Sequence, residues 1–461
     1  MSRTVEPTFL DLSIEELSAR LRELGEPAYR ARQIQRWVYR ELVFDFAEMT
    51  NLPATLRAQL AEGPGALPLQ TVAEKVSDGG LTRKALLKLA DGNAVEAVLM
   101  VYPGDALTPT LSQGEREPGS PFPRGPKVSP GGDLRPARGE GGRGVRSVPS
   151  SRARRTVCAS SQVGCAVGCP FCATGMSGLR RSLTAGEIVG QVLHFARRVR
   201  DLEGPEARIT NVVLMGQGEP LANLRQVWRA VELLNSPDAC GLGARHVTIS
   251  TSGLAPRIRE LAEKPLQVGL AVSLHAPDDA LRDQLVPVNR WYPIAELLAA
   301  CREYVGRTNR RVSFEYAMMS GVNDSPAQAE RLGGLLDGFL GHVNLIPLNP
   351  VDGSPFQPTP WPRILAFRAS LRRRGIPCTI RTERGDPIDA ACGQLRARSL
   401  ETRGAMAAPG ADRRALGATE GAGVRSPAIV VQEGVASCRA ETAARHRQAS
   451  GVNVVEESPY G

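Results

Sequence analysis

Between residues 154 and 400 the chain alternates between short apolar runs and amphipathic stretches, and no other feature limits the fold as strongly. The strand-like runs are 211–216 (NVVLMG), 246–253 (HVTISTSG), 268–274, 311–319, 343–348 and 377–382. Helical periodicity fills the intervals at 184–199, 222–235, 278–285, 293–305, 326–340 and 362–374. Alternation over this length predicts an α/β fold with a parallel sheet, either open or closed into a (β/α) barrel. In both forms functional side chains gather at the carboxyl ends of the strands.

The flanks differ. Residues 10–62 carry three short amphipathic patterns, which read as a structural cap or as a basic surface for docking RNA. Residues 69–102 switch to strand period, with LTRKALLKL and AVEAVLMVY around the turn ADGN. Residues 103–157 hold ten glycines and nine prolines, too little apolar surface to offset the entropy of ordering. The expected plan is therefore an N-terminal helical accessory domain (1–65), connecting strands (66–102), a disordered low-complexity insertion (103–153), the core (154–400) and a disordered tail (401–461).

The net charge of +9 invites a nucleic-acid partner. More than half of it lies in 103–157, with ten Lys/Arg against five Asp/Glu, so charge alone argues little. No apolar run approaches the ~18 residues of a membrane helix. MSRTVEPTFLDLSIEEL has acids and no apolar signal segment, so the expectation is a cytoplasmic protein without a membrane partner.

Three of the nine cysteines, Cys165, Cys169 and Cys172, stand as C-x3-C-x2-C in GCAVGCPFCATG. Three thiolates on one loop can hold three corners of a cubane iron–sulfur cluster and leave the fourth iron open. A structural zinc site is the alternative, but it wants four ligands, and only Cys158 is near enough in sequence to complete it.

This triplet, with Phe171 before its last cysteine, resembles the signature of the radical S-adenosylmethionine (SAM) enzymes. Further motifs narrow the resemblance: VCASSQVGCAVGCPFCATGMSG, LMGQGEPLAN, TISTSG, VSLHAPDD, NLIPLNP and RGDPIDAACGQL, with YRARQIQRWVY and MTNLP nearer the N-terminus. Together, over 10–102 and 154–400, they resemble the adenine-C2 RNA methyltransferases, the RlmN family. The resemblance implies a partial (β/α) radical-SAM barrel and a [4Fe–4S] cluster on Cys165, Cys169 and Cys172. It also implies two SAM molecules per turnover, with SAM held by Gly218, Glu219, Ser250, Ser273, Leu274, His275 and Asn349. Read alone, GEP is an ordinary loop and His275 a structural histidine; their motifs and places after strands give them the other meaning.

The resemblance also assigns three catalytic residues. Cys392 matches the family's methyl-accepting cysteine, Cys158 a second cysteine, and Glu96 a glutamate that removes a proton. Without it, Cys392 would be an inert buried thiol and Glu96 an exposed strand carboxylate. C2 of adenine is an electron-poor carbon, closed to polar attack on a SAM methyl group. In the family a cysteine accepts a methyl group by displacement. A radical drawn from that methyl group then joins enzyme to RNA, and the second cysteine resolves the complex as a disulfide bond reset by external reduction. The implied substrates are 23S rRNA at the peptidyl-transferase centre and tRNA at adenosine 37. The implied electron donor is of the flavodoxin or ferredoxin kind, and the enzyme a monomer. The sister activity at adenine C8, and a non-catalytic RNA- or metal-binding protein, stay open. The departures are the insertion between Glu96 and Cys158, and Gln217 and Pro387 within their motifs.

Overall fold

The computed structural model describes residues 8–63, 65–103, 153–351 and 353–381. Most of the expected insertion, the expected tail, Cys392 and Cys438 lie outside them.

The strands are β1 (Leu69–Ser77), β2 (Thr82–Leu89), β3 (Ala94–Tyr102), β4 (Arg154–Cys158), β5 (Gln162–Gly164), β6 (Leu179–Ser182), β7 (Asn211–Leu214), β8 (Val247–Thr251), β9 (Gly269–Ser273), β10 (Val312–Met318), β11 (Gly341–Pro347) and β12 (Cys378–Ile380). The helices are α1 (Ile14–Glu23), α2 (Tyr29–Gln35), α3 (Ala54–Ala61), α4 (Ala173–Met176), α5 (Ala185–Glu203), α6 (Leu224–Asn235), α7 (Ala255–Ala262), α8 (Asp279–Leu285), α9 (Ile294–Thr308), α10 (Pro326–Leu335) and α11 (Trp361–Arg373). None is long and apolar enough to cross a membrane.

Ten strands form one sheet in the order β1-β2-β3-β4-β7-β8-β9-β10-β11-β12. The first four are antiparallel neighbours; from β4 to β12 every pair is parallel. Strands β1 and β12 do not pair, so the barrel is partial, as expected. It is nonetheless curled. Arg381, just past β12, acts on the charge of Cys158 at the end of β4. Six spacings of ~4.8 Å would hold those strands roughly 29 Å apart in a flat sheet.

Directly paired residues lie on the same face of a sheet. The pairings Lys84–Val98, Val98–Cys158, Cys158–Val213, Val213–Thr248 and Thr248–Gly269 trace one face. Two-residue steps add Glu96, Ser250 and Ser273 to it, and Ser273–Glu315, Glu315–Asn344 and Asn344–Thr379 continue it to β12. Lys84, Glu96, Cys158, Thr248, Ser250, Ser273, Glu315, Asn344 and Thr379 lie on that face, with Val98, Val213, Gly269 and Ala271 between them. The opposite face presents Val157, Val212, Leu214, Val247, Ile249, Leu270, Val272, Phe314, Val343 and Leu345, all buried. The site candidates that lie on strands of this sheet, Glu96, Cys158, Ser250 and Ser273, thus share one face, and the apolar face is the one left for the helices.

The N-terminal helices are locally encoded. Ser13 and Glu16 form a capping box on α1, and α2 runs on into a π-helical turn over Arg36–Arg40. The unit is tied to the barrel where Asp11 accepts from the Gly186 N–H at 2.6 Å in the first turn of α5; a Cβ on Gly186 would sit 2.8 Å from Thr8 Oγ1.

Segment 104–152 separates Glu96 from Cys158 in sequence and lies outside the described residues. Tyr102 pairs with Arg154 at the amino end of β4, whereas Glu96 and Cys158 lie at the other end of those strands. The segment leaves and rejoins the sheet at adjacent residues. Deleting 104–152 should leave the unfolding temperature within a few degrees of the full chain by calorimetry, since loop closure changes by only ~0.6 kcal/mol per doubling of length.

Candidate active site

The loops at the carboxyl ends of β7, β8 and β9 are bound to one another by two charged side chains. Glu219, after β7, accepts from Leu221 N at 3.0 Å, Ser252 N at 2.6 Å and Ser252 Oγ at 2.7 Å. Burial still pushes its carboxyl above the usual range, with these donors opposing. Arg282 of α8 is fully buried and donates to the carbonyls of Leu274 (3.1 Å), Ser273 (3.1 Å) and Ser252 and to Asn289 Oδ1 (2.8 Å). Burial lowers its pKa to about 10, with Cys169 and Asp279 acting the other way, so it is a cation at neutral pH. Ser252 therefore links an anion after β7 to a cation that fixes the ends of β8 and β9.

Gly218 has φ +100°, and a Cβ there would lie 2.5 Å from Gln162 Cβ and 2.8 Å from Gln162 N. Its neighbour Glu219 donates its N–H to Gln162 Oε1 at 2.9 Å. Ser250 donates its hydroxyl to the Leu214 carbonyl and is half-buried. Leu274 is fully buried, with its N–H on the Glu315 carbonyl at 3.0 Å. His275 has φ +59°, and its Nδ1 accepts from Ala317 N at 3.0 Å, which places the ring proton on Nε2. Burial and Arg282 lower its pKa to about 3, so the ring is neutral. Asn349 is half-buried, just past β11.

The cysteine loop joins this array. Phe171 meets His275 edge-on, with centroids 5.0 Å apart. Burial pushes the Cys165 thiol up to about 12, with Glu219 and Cys172 adding to it. Cys169 is pushed up by burial and then by Cys172 and Cys165, with Arg282 opposing. The three thiols therefore lie within electrostatic range of one another, and Cys165 and Cys169 within range of Glu219.

Cys158 stands apart from them. It is a free thiol, 7% exposed. Burial raises its pKa, opposed by Arg381, a Met215 backbone hydrogen bond and Lys84. Glu96 is 3% exposed, with Oε2 3.4 Å from the ammonium of Lys84. Its own carbonyl accepts from Ser160 Oγ at 2.6 Å.

Residues 8–63 match the family model "Ribosomal RNA large subunit methyltransferase N-terminal domain", and 160–331 that of the radical SAM superfamily. A crystal structure of a radical SAM methyltransferase from Sphaerobacter thermophilus is 48% identical, covers 84% of this chain and 98% of its own, and superposes with a TM-score of 0.71. Proteins named as probable dual-specificity RNA methyltransferase RlmN from Chloroflexus aurantiacus and Desulfitobacterium hafniense are each 44% identical. They cover 84% and 85% of this chain and 92% and 96% of their own lengths. The chain belongs to the RlmN family. It is an enzyme of the radical SAM methyltransferase kind.

The loop fits the cluster and SAM that this family implies. Cys165, Cys169 and Cys172 are free thiols on one loop, a donor set that suits three corners of a cubane. Thr174 Oγ1, beside Cys172, and Gln217 Oε1, beside Gly218, are buried without a hydrogen-bond partner, as in a pocket that receives a polar group. The disulfide implied for this RlmN member is not found among the described residues: Cys158 is free, and Cys392 lies outside them.

Sequence reasoning missed Gln162, Ser252, Arg282, Lys84 and Arg381. Ser252 and Gln162 lie inside the motifs TISTSG and VCASSQVGC and could have been singled out there. Arg282 sits in DDALRDQL, which reads as a solvated helix face. Gly218→Ala, in contrast, is a substitution whose cost is legible from the backbone. It should destabilise the fold by roughly 1–3 kcal/mol and weaken SAM binding, checked by denaturation and calorimetric titration.

Proposed function

We propose that this RlmN-family enzyme methylates C2 of adenine in structured RNA, with 23S rRNA and adenosine 37 of tRNA as substrates. One observation carries the reading. Glu96 and Cys158 lie buried on one face of adjacent strands, and Ser160, on the segment that leads from β4 to the cysteine triplet, donates its hydroxyl to the Glu96 carbonyl. A protein that only bound RNA or metal would have no use for a buried carboxylate and a buried thiol there.

Cys165, Cys169 and Cys172 would hold the [4Fe–4S] cluster. Gly218, Glu219, Ser250, Ser273, Leu274, His275 and Asn349 would form the SAM pocket, with the closed carbonyl loops and the neutral His275 ring keeping it dry. When bound, the cluster and SAM supply the one-electron chemistry that an unreactive C2 requires. Glu219 offers the carboxylate suited to an ammonium group. Cys392 serves as methyl acceptor by displacement. Glu96, held beside Lys84, takes the C2 proton. Cys158 attacks the Cys392 sulfur to free the methylated base, leaving a disulfide for an external reductant. Two SAM molecules per turnover, a flavodoxin- or ferredoxin-like donor and a monomeric enzyme complete the proposal. Its setting is the cytoplasm, where free thiols such as those described here persist.

The test is mass spectrometry of nucleosides from 23S rRNA and tRNA after incubation with the reconstituted enzyme, SAM and reductant. The expected product is 2-methyladenosine. 8-Methyladenosine would move the assignment to the sister activity, and unmodified RNA with an intact cluster would overturn catalysis.

A further inference from the structure

Lys84 carries an ammonium into the interior of the sheet. Its side chain is 2% exposed, and its Nζ lies 3.4 Å from Glu96 Oε2, itself 3% exposed. The register explains the approach. Lys84 on β2 and Cys158 on β4 both pair with Val98 on β3, one from each side. Glu96 is the next residue along that face of β3. One ammonium therefore touches Glu96 and acts on the charge of Cys158, the two candidate groups that act after RNA has been joined to the protein.

A buried charge is an expensive way to fill an interior position, and an apolar side chain of similar volume commonly serves stability at least as well. On β2 the buried Ala85, Leu86 and Leu87 follow position 84, while Arg83, paired with Glu74, precedes it and Lys75 of β1 stands directly opposite. Ion pairing alone does not explain the placement, because a leucine opposite a neutral residue would pack there without any desolvation cost. The placement is explained if the charge is used.

Resting on the roles proposed for Glu96 and Cys158, we propose that Lys84 is a positioning residue for the release half of the reaction. It holds the Glu96 carboxylate in orientation until the carboxylate takes the C2 proton. Once Glu96 is neutral, the ammonium is left to favour the thiolate of Cys158, whose proton passes to solvent. The same cation thus serves two consecutive proton losses.

The charges around Cys158 agree. Burial disfavours its thiolate, and Arg381 and Lys84 are the two cations that oppose this. Arg381 follows β12 and also faces Glu315 of β10, whose carboxylate accepts from Asn344 Nδ2 at 2.8 Å. Lys84 faces Glu96 of β3. Arg381 and Lys84 are therefore each shared with a carboxylate, and of the two carboxylates only Glu96 changes its charge during the proposed reaction.

The test uses the full-length reconstituted enzyme with RNA, SAM and reductant, comparing Lys84→Met, Lys84→Gln and Lys84→Arg with Cys158→Ala as reference. Product release at neutral pH should fall about tenfold or more in Lys84→Met and Lys84→Gln, the weight of one neighbouring charge. RNA-linked protein should accumulate in denaturing gels, and alkaline pH should relieve it. Lys84→Arg should keep most of the activity. In protein without cluster or SAM, the pH profile for modification of Cys158 by methyl methanethiosulfonate should move to higher pH in Lys84→Met. A merely structural lysine would lower every step together, with no trapped complex and no relief by pH. Unimpaired release by both neutral variants, or absence of trapped complex where Cys158→Ala gives it, would overturn the role of Lys84 alone. Normal turnover by Cys158→Ala would instead overturn the reading of Cys158.

Discussion

Cys158→Ala should leave the enzyme covalently attached to its RNA, whereas Cys392→Ala should yield free protein and unmodified RNA. In the proposed scheme Cys392 provides the sulfur through which protein and base are joined, so its removal stops the reaction before any link exists. Cys158 acts only afterwards. Its side chain is small and its strand is held by backbone pairs to β3 and β7, so truncation to Ala removes one buried sulfur and leaves the barrel intact. The position accommodates the role. Cys158 ends β4, where the polar face of the sheet begins to open, and Arg381 and Lys84 oppose the effect of burial on its thiol. Arg381 precedes the segment that carries Cys392, so the chain leading to the second cysteine starts within electrostatic range of the first. The measurement is a slow-migrating, nuclease-sensitive band in denaturing gels. Its absence from Cys158→Ala, or its presence in Cys392→Ala, would remove the assignment.

The same two cysteines show how far a sequence can be read and where it stops. The alternation that foretold the barrel is a local property. Each buried parallel strand needs a run of apolar residues and each following helix a 3.6-residue period, so β7–β12 and α5, α6, α8, α9, α10 and α11 were legible within a few residues. Strand β1 was legible only as the start of the strand-period stretch 69–102 and not as a run of its own, because LQTVAEKVS lies at the sheet edge, mostly half-exposed, and carries charges instead of running apolar. Helix α7 was missed because APRIRELA is two turns long with a proline at its start. The triplet was legible because cluster ligation is a matter of spacing on one loop. Glu96 and Cys158 acquired meaning only through resemblance, since a single carboxylate or thiol on a strand carries no local signal. Lys84 and Arg282 carried none at all. Their burial follows from strand register and from loop carbonyls contributed by β8 and β9, which are set by pairings distant in sequence.

Cys169→Ala should abolish the iron–sulfur absorption and all methyl transfer while the protein stays folded. The fold does not depend on the thiols. The Cys172 N–H donates to the Cys169 carbonyl at 3.1 Å, and the Cys165 N–H to the Gly178 carbonyl at 3.0 Å, so backbone bonds close the loop whichever side chain occupies position 169. Gly175 keeps the turn tight, since a Cβ there would lie 2.8 Å from the Cys169 carbonyl oxygen. What the substitution removes is a proposed ligand, the thiol on which Arg282 and both other cysteines of the triplet act. Two remaining thiols cannot complete the three corners that leave one iron open for SAM. Absorbance, iron and sulfide content and the unfolding temperature separate the cases. An unchanged melting curve with no iron or sulfide is the expected result, whereas stoichiometric zinc without sulfide in the unaltered enzyme would overturn the cluster and every step that depends on it.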